Sequence, residues 1–316
     1  MNLDWSELAF GSKKPINSLK AVFIAAPREL SAKRFTQLVK TYLPQGNIVL
    51  GLAKEPFVVG LVDQIQFKML QQSAVQAIIN KVNAASPNHK IYTITYFQRE
   101  LVFILEKLSF KKVVFINGSW RQPFHTLPPF FVLASKRVDY ELTSPFTDEA
   151  EAIGYAKEYG QKPPEPKGLF GASDMMQLAG QAAKRSFDNG FQTGVTLGRK
   201  KGAAYEFIAW AFNTVVPYQT YAWHFGAARE KHFAPMHDTN YYDTVHAEVA
   251  LIIQAQKRGL DLHGTTLFIN LLPCPHCSRM FTQTDIAEFV YIHDHSGGYG
   301  FNLLTQSGKK VTRMAR

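Results

Sequence analysis

Residues 244–277 read TVHAEVALIIQAQKRGLDLHGTTLFINLLPCPHC. The run parses as a helix over 244–257, a turn at Gly259, a buried strand over 265–271 and a second helix starting at Cys274. His246 and Glu248 then lie in the first turn of one helix, and Cys274 and Cys277 lie three apart in the first turn of the next, where positions i and i+3 share a face. The 28 residues from His246 to Cys274 are enough for the rest of a helix, a turn and a strand, the least that returns a second helix start beside the first.

Outward from this stretch the second half continues as α/β. It predicts a helix over 172–187, strands over 192–197 and 204–213 flanking a basic turn Gly198-Arg199-Lys200-Lys201-Gly202, and then a strand over 288–292, a helix over 301–306 and a last strand over 310–313. A long loop rich in histidine and aromatic residues, 214–242, precedes His246. Loops of that length lean towards function, as a phosphate clamp or a stack for a base.

The first half alternates apolar strands (21–27, 47–53, 90–96, 112–117) with helices (31–43, 66–83, 98–108), Ser31 being a candidate N-cap. Strands that are nearly all apolar and separated by helices imply a parallel, Rossmann-like sheet covered on both faces. Neither G-x-G-x-x-G nor G-x-x-x-x-G-K-[ST] occurs in it. Residues 160–168, GQKPPEPKG, read as a linker. Two domains are expected, 1–165 and 166–316.

The 316 residues carry 46% hydrophobic and 19% charged residues, a composition that excludes a disordered, collagen-like or coiled-coil chain. There is no apolar run of membrane-spanning length and no signal-like start, so the reading is a cytoplasmic protein without a membrane partner. The net charge of +10 is spread evenly, 20 Lys and Arg against 14 Asp and Glu before residue 166 and 15 against 11 after it. An even excess suits anionic small molecules and does not favour a nucleic-acid track.

Cys274 and Cys277 are the chain's two cysteines, so the pair is metal-binding or redox-active rather than a disulfide framework. Two thiolates and the imidazole of His246 make the three protein ligands of a catalytic zinc site, whose fourth position is left for water. Helix N-termini would stabilise the thiolates. Glu248, two residues after His246, is placed to move protons at that water as general acid and base.

His246-Ala247-Glu248 together with Pro273-Cys274-Pro275-His276-Cys277 resembles the zinc-dependent cytidine and deoxycytidylate deaminase superfamily, whose signature is H-x-E with P-C-x-x-C. The resemblance covers about residues 170–316. It implies a cytidine deaminase-like α/β/α domain, one Zn2+ per chain on His246, Cys274 and Cys277, and proton transfer by Glu248. It further implies that Asn213, in Ala211-Phe212-Asn213, bonds the substrate sugar and that the backbone at Ala247 meets the pyrimidine.

Residues 285–291 and 303–311 resemble the end of deoxycytidylate-type deaminases. Leu272 stands where tRNA adenosine deaminases usually carry an acidic residue, which points to a mononucleotide. The implied reaction is hydrolytic deamination of a cytosine nucleotide, dCMP to dUMP first, by zinc-activated hydroxide in a homo-oligomer. The competing readings are an editing deaminase on RNA or single-stranded DNA and a regulatory nucleotide-binding protein with a retained zinc site. Glu248 argues against the last. The first half resembles no deaminase segment.

Overall fold

A computed structural model describes residues 21–25, 28–117, 124–159, 164–226 and 244–315. They form two compact units, one of residues 1–160 with 220–242 and one of residues 161–219 with 243–316.

The first unit is built on a five-stranded sheet of order β3-β2-β1-β4-β5. Its strands β1 (Ala21–Ala25), β2 (Asn47–Ala53), β3 (Ile91–Tyr96), β4 (Lys112–Ile116) and β5 (Asp139–Thr143) are all parallel. Alternation along β1 explains the layers, because successive side chains leave opposite faces. Val22 and Ile24 pack with Phe35, Leu38 and Val39 of α1 (Ala32–Tyr42) and with Val75 and Ile79 of α2 (Gln72–Ala85). Ala21, Phe23 and Ala25 pack with Ile104 and Leu105 of α3 (Leu101–Lys107) and Leu133 of α4 (Pro128–Lys136). Ser31 caps α1, its hydroxyl accepting the Arg34 N–H at 3.0 Å.

The parallel sheet expected from the sequence is present, with three differences. Helix α2 begins at Gln72 rather than 66, because residues 56–69 fold back on themselves, Val58 N–H donating to the Phe67 carbonyl and Met69 N–H to that of Pro56, each at 2.9 Å. A fifth strand, β5, was not expected. Its sequence DYELT has no apolar run, since an edge strand is only half covered. Helices α4 and α5 (Glu149–Tyr159) were not expected either. The last two positions of the first predicted strand, Ala26 and Pro27, lie outside the described residues.

The second unit is a mixed six-stranded sheet of order β13-β12-β11-β7-β8-β6. It comprises β6 (Leu169–Phe170), β7 (Gly194–Lys201), β8 (Ala204–Phe212), β11 (Thr265–Leu271), β12 (Glu288–His293) and β13 (Lys310–Arg313). β11, β12 and β13 run parallel, and β7 is antiparallel to both β8 and β11. Phe268 and Val290 pack on one face with Met175, Met176 and Ala179 of α6 (Ala172–Ala183). Leu267, Ile269 and Phe289 pack on the other with Leu251 of α8 (Ala247–Arg258), Phe281 of α9 (Pro275–Phe281) and Leu304 of α10 (Tyr299–Gln306). This is the three-layer arrangement expected for the domain.

Helix α6 lies so close to β7 that a methyl group on Gly194 would overlap the Ala179 carbonyl and the Ala183 amide. The hairpin differs from expectation. Arg199, Lys200 and Lys201 belong to β7 itself, and the chain turns at Gly202, φ +64°, between Lys201 and Ala204.

Short strands β9 (Thr214–Val215) and β10 (Thr244–Val245) pair antiparallel at the two ends of the long loop. Within that loop α7 (Tyr221–Phe225) is part of the first unit. Trp223 is buried there, its indole N–H donating to the Gln66 carbonyl at 3.0 Å. His224 bonds Ser144 and Glu149. The helix and its burial were not expected from sequence, and residues 227–243 of the loop lie outside the described residues.

Candidate metal centre and active site

His246 is the N-cap of α8, in extended conformation (φ −61°, ψ 149°), rather than a first-turn residue. The pairing of Val245 with Thr214 holds the chain extended up to this point. Cys274 is likewise the N-cap of α9, with Pro275 in the first turn, where a missing N–H costs nothing. The Cys274 sulfur accepts the Cys277 N–H at 3.5 Å. Cys274 and Cys277 therefore end on one side of a helix start.

His246 Nδ1 lies 3.6 Å from Cys274 Sγ and 3.5 Å from Cys277 Sγ. All three candidate ligand atoms fall within 4.8 Å of one another. Zinc at about 2.0 Å from nitrogen and about 2.3 Å from sulfur in a tetrahedral site separates the two atoms by about 3.5 Å. The observed spacings fit such an ion, and the donor set of two thiols and one imidazole suits zinc.

The electrostatics agree with this reading. The Cys274 thiol is drawn down to about 3, first by its hydrogen bond from Cys277 and also by His246, with burial opposing. The bond to Cys274 and burial push the Cys277 thiol up. The hydrogen bond to Cys274 raises the His246 imidazole.

Glu248 is 3% exposed, on the first turn of α8. Burial raises its carboxyl above the ordinary carboxylate range, while its own backbone N–H and His246 pull the other way. It also meets the Cys277 thiol. A buried carboxyl with raised proton affinity, beside three convergent candidate ligands, is equipped to take up and release a proton. His276 is exposed.

Asn213 follows β8 and is buried. Its Oδ1 accepts the Ala247 N–H at 3.0 Å and its Nδ2 donates to the Phe191 carbonyl at 3.0 Å. His246 does not cap its own helix by its side chain, so Asn213 caps α8 from another strand. An amide offers two N–H groups and two lone pairs. Asn213 has capacity left, whereas the Ala247 N–H is already spent on it.

Several supporting residues escaped the sequence reading. Asp188 is buried, its carboxylate accepting Gly190 N–H at 2.7 Å, Phe191 N–H at 3.1 Å and the Thr244 hydroxyl at 2.8 Å. It anchors the strand that leads into His246 and adds negative charge near that imidazole. The signal for it was Asp188-Asn189-Gly190, a turn sequence. Ser278 is buried, and its hydroxyl donates to the Pro273 carbonyl at 2.9 Å, closing the cysteine turn. Gly300 of α10 sits against that turn. A Cβ there would lie 2.7 Å from the Pro273 carbonyl oxygen and 2.9 Å from Ser278 Oγ.

Among the described residues, three candidate ligand atoms converge beside a buried carboxyl at the start of α8. Residues 171–293 match the family model described as the cytidine and deoxycytidylate deaminase zinc-binding region. The deoxycytidylate deaminase of Enterobacteria phage T2 is 36% identical over 47 residues, 15% of this chain and 25% of that protein. A probable deoxycytidylate deaminase of Drosophila melanogaster is 31% identical over 74 residues, 23% of this chain and 35% of that protein. The chain thus spans about a quarter to a third of the length of these relatives.

Among solved structures, the dCMP deaminase of cyanophage S-TIM5 in complex with dCMP and dUMP aligns with 45% of this chain and 95% of that one, at 20% identity and a TM-score of 0.35. The segment 171–293 belongs to the cytidine and deoxycytidylate deaminase superfamily.

Proposed function

We propose that the second unit catalyses hydrolytic deamination of a cytosine nucleotide, dCMP to dUMP, with one zinc ion per chain. The observation that carries this reading is the buried Glu248 carboxyl, raised by its burial, beside the convergent His246, Cys274 and Cys277. The relatives named as deoxycytidylate deaminases support the choice of substrate.

His246 Nδ1 and the two sulfurs would hold the metal. When bound, zinc supplies a Lewis acid that lowers the pKa of water. Glu248 removes a proton from the attacking water and delivers it to N3 of the ring. It then carries the second water proton to the departing amino group. The balance is cytosine C4–NH2 and water to uracil C4=O and ammonia. Cys274 and Cys277, both at the N-terminus of α9, would supply the negative charge that holds the ion, and the partial positive charge of that helix start would offset it. Asn213 fixes the first turn of α8, and hence the relative placement of His246 and Glu248, and its unspent N–H and lone pair are proposed to meet the nucleotide sugar. The backbone at Ala247 is proposed to border the pyrimidine.

The test is ammonia release from zinc-loaded protein supplied with cytosine, cytidine, CMP, dCMP, dCTP and a cytosine-bearing single strand. Turnover of dCMP is expected. Glu248→Gln is expected to lower kcat by about 10²–10⁴-fold with its zinc content unchanged. Normal turnover in that variant, or turnover of the strand alone, overturns the proposal.

A further inference from the structure

The first unit plays no part in the chemistry above, yet it contains a built cavity. The strand order β3-β2-β1-β4-β5 reverses direction of growth between β1 and β4. In such open parallel sheets the crevice at the carboxyl ends of the strands beside this reversal is where ligands bind. A cavity of about 450 Å³ lies there, bordered by Arg34 of α1, Asn117 directly after β4, Leu142 and Thr143 at the end of β5, and Ser144 and His224. Its size falls within the range of small-molecule sites, roughly 300–1,000 Å³.

Among the buried side-chain polar atoms of its lining, Asn117 Oδ1 is the one without a hydrogen-bond partner. Glu149 is acceptor-only, so His224 Nε2–H donates to its carboxylate at 3.1 Å, and Nδ1 is left to accept the Ser144 hydroxyl at 2.6 Å. The remaining Glu149 oxygen accepts from the Thr220 hydroxyl. Asn117 Nδ2 donates to the His224 carbonyl at 2.6 Å. Asn117 is 6% exposed, and its Oδ1 has no hydrogen-bond partner. A buried orphan acceptor costs about 1–3 kcal/mol unless something supplies a donor. Arg34 uses Nε and Nη2 on the Phe146 carbonyl and Nη1 on Gln37, leaving guanidinium N–H groups to spare. Leu142 adds an apolar wall.

We infer that this cavity binds a nucleoside or nucleotide whose base carries an exocyclic amino group, the amine donating to Asn117 Oδ1. The donors on Arg34 and the Thr143 hydroxyl serve ring or sugar acceptors, or a phosphate. A keto base in the same pose would set oxygen against oxygen at Asn117, so the site discriminates amino from keto bases.

The test is calorimetric titration of the full chain with the matched pairs adenosine and inosine, AMP and IMP, and CMP and UMP. Repeats use Arg34→Met, Thr143→Val and the zinc-site variant Cys277→Ser, with thermal melts confirming that each variant folds. The expected result is a saturable site separate from the proposed deaminase site, at least tenfold tighter for an amino member than for its keto twin. It should weaken at least fivefold in Arg34→Met or Thr143→Val and persist in Cys277→Ser. Equal affinity for nucleoside and nucleotide assigns recognition to the base and sugar, and a tighter nucleotide assigns the phosphate to Arg34. No binding at millimolar concentration, no amino preference, or a preference lost in Cys277→Ser and unchanged in the other two variants overturns the inference. This test is independent of turnover, so its failure leaves the proposed deaminase untouched.

Discussion

Replacing Asn213 by Ala should separate the architecture of the metal centre from its chemistry. The side chain makes one buried bond, from the Ala247 N–H, and one partly buried bond, to the Phe191 carbonyl. Leaving a buried amide without an acceptor costs about 1–3 kcal/mol, and losing a partly solvated bond costs about 0.5–1.5 kcal/mol. The sum is about 1.5–4.5 kcal/mol. For a unit of this size that corresponds to a fall in Tm of about 10 °C.

Because the amide is the one next to His246, the start of α8 should loosen with it, and zinc should pass faster to a chromogenic chelator. Asn213→Asp keeps the acceptor, places a negative charge at a helix N-terminus, where it is favourable, and loses the donor to Phe191. It should recover about half of the loss. The assays are urea melts of zinc-loaded protein, read as a midpoint shift at constant slope, together with the zinc-transfer rate. A loss below 0.5 kcal/mol for the Ala variant, or an Asp variant no better than Ala, would refute the capping argument.

Gly300→Ala should destabilise the second unit by about 1–3 kcal/mol through overpacking and lower zinc occupancy, since its methyl would press on Pro273 and Ser278 beside the cysteines; metal analysis after dialysis checks this. Chelation of zinc should lower the melting transition of the second unit and leave that of the first in place, which scanning calorimetry resolves. Burial lowers the His224 imidazole below its usual 6.5, with Glu149 pulling the other way, so the folded first unit binds fewer protons there than the unfolded chain. Its contribution is therefore fully present above pH 6.5 and is lost as the pH falls towards the depressed value; the acid slope of Tm should flatten in His224→Gln. Leu251→Ala, in the core between α8 and the sheet, should cost about 2–5 kcal/mol in urea melts.

The convergence of His246, Cys274 and Cys277 was legible because their spacing is dictated by where two helices start, and a residue at a helix start has little freedom to move in sequence. The parallel strands of the first unit were legible as apolar runs, being buried on both faces. What escaped was whatever tertiary contact decides. β5 is too polar to stand out because it lies at a sheet edge. The basic residues 199–201 looked like a turn, yet β-pairing with Ala204–Glu206 extends the strand through them. The cap that Asn213 gives to Ala247 joins residues 34 positions apart, and no local pattern announces it. Likewise α2 was drawn too early because Gln66 and Phe67 are buried by a fold-back rather than by helical packing.

The path of α7 bears on how separable the two units are. Trp223 packs against Phe146 and Tyr155 at ring-centroid distances of 5.0 and 5.5 Å. A cut in the 160–168 linker would therefore not yield two self-sufficient modules. The carboxyl-terminal product would carry an indole stripped of its cover, and the amino-terminal product would keep a hollow lined by Phe146 and Tyr155. Fusion, exchange or crystallisation of either unit requires breaking the chain in two further places, on either side of residues 220–242, so this protein cannot be recombined at a single junction.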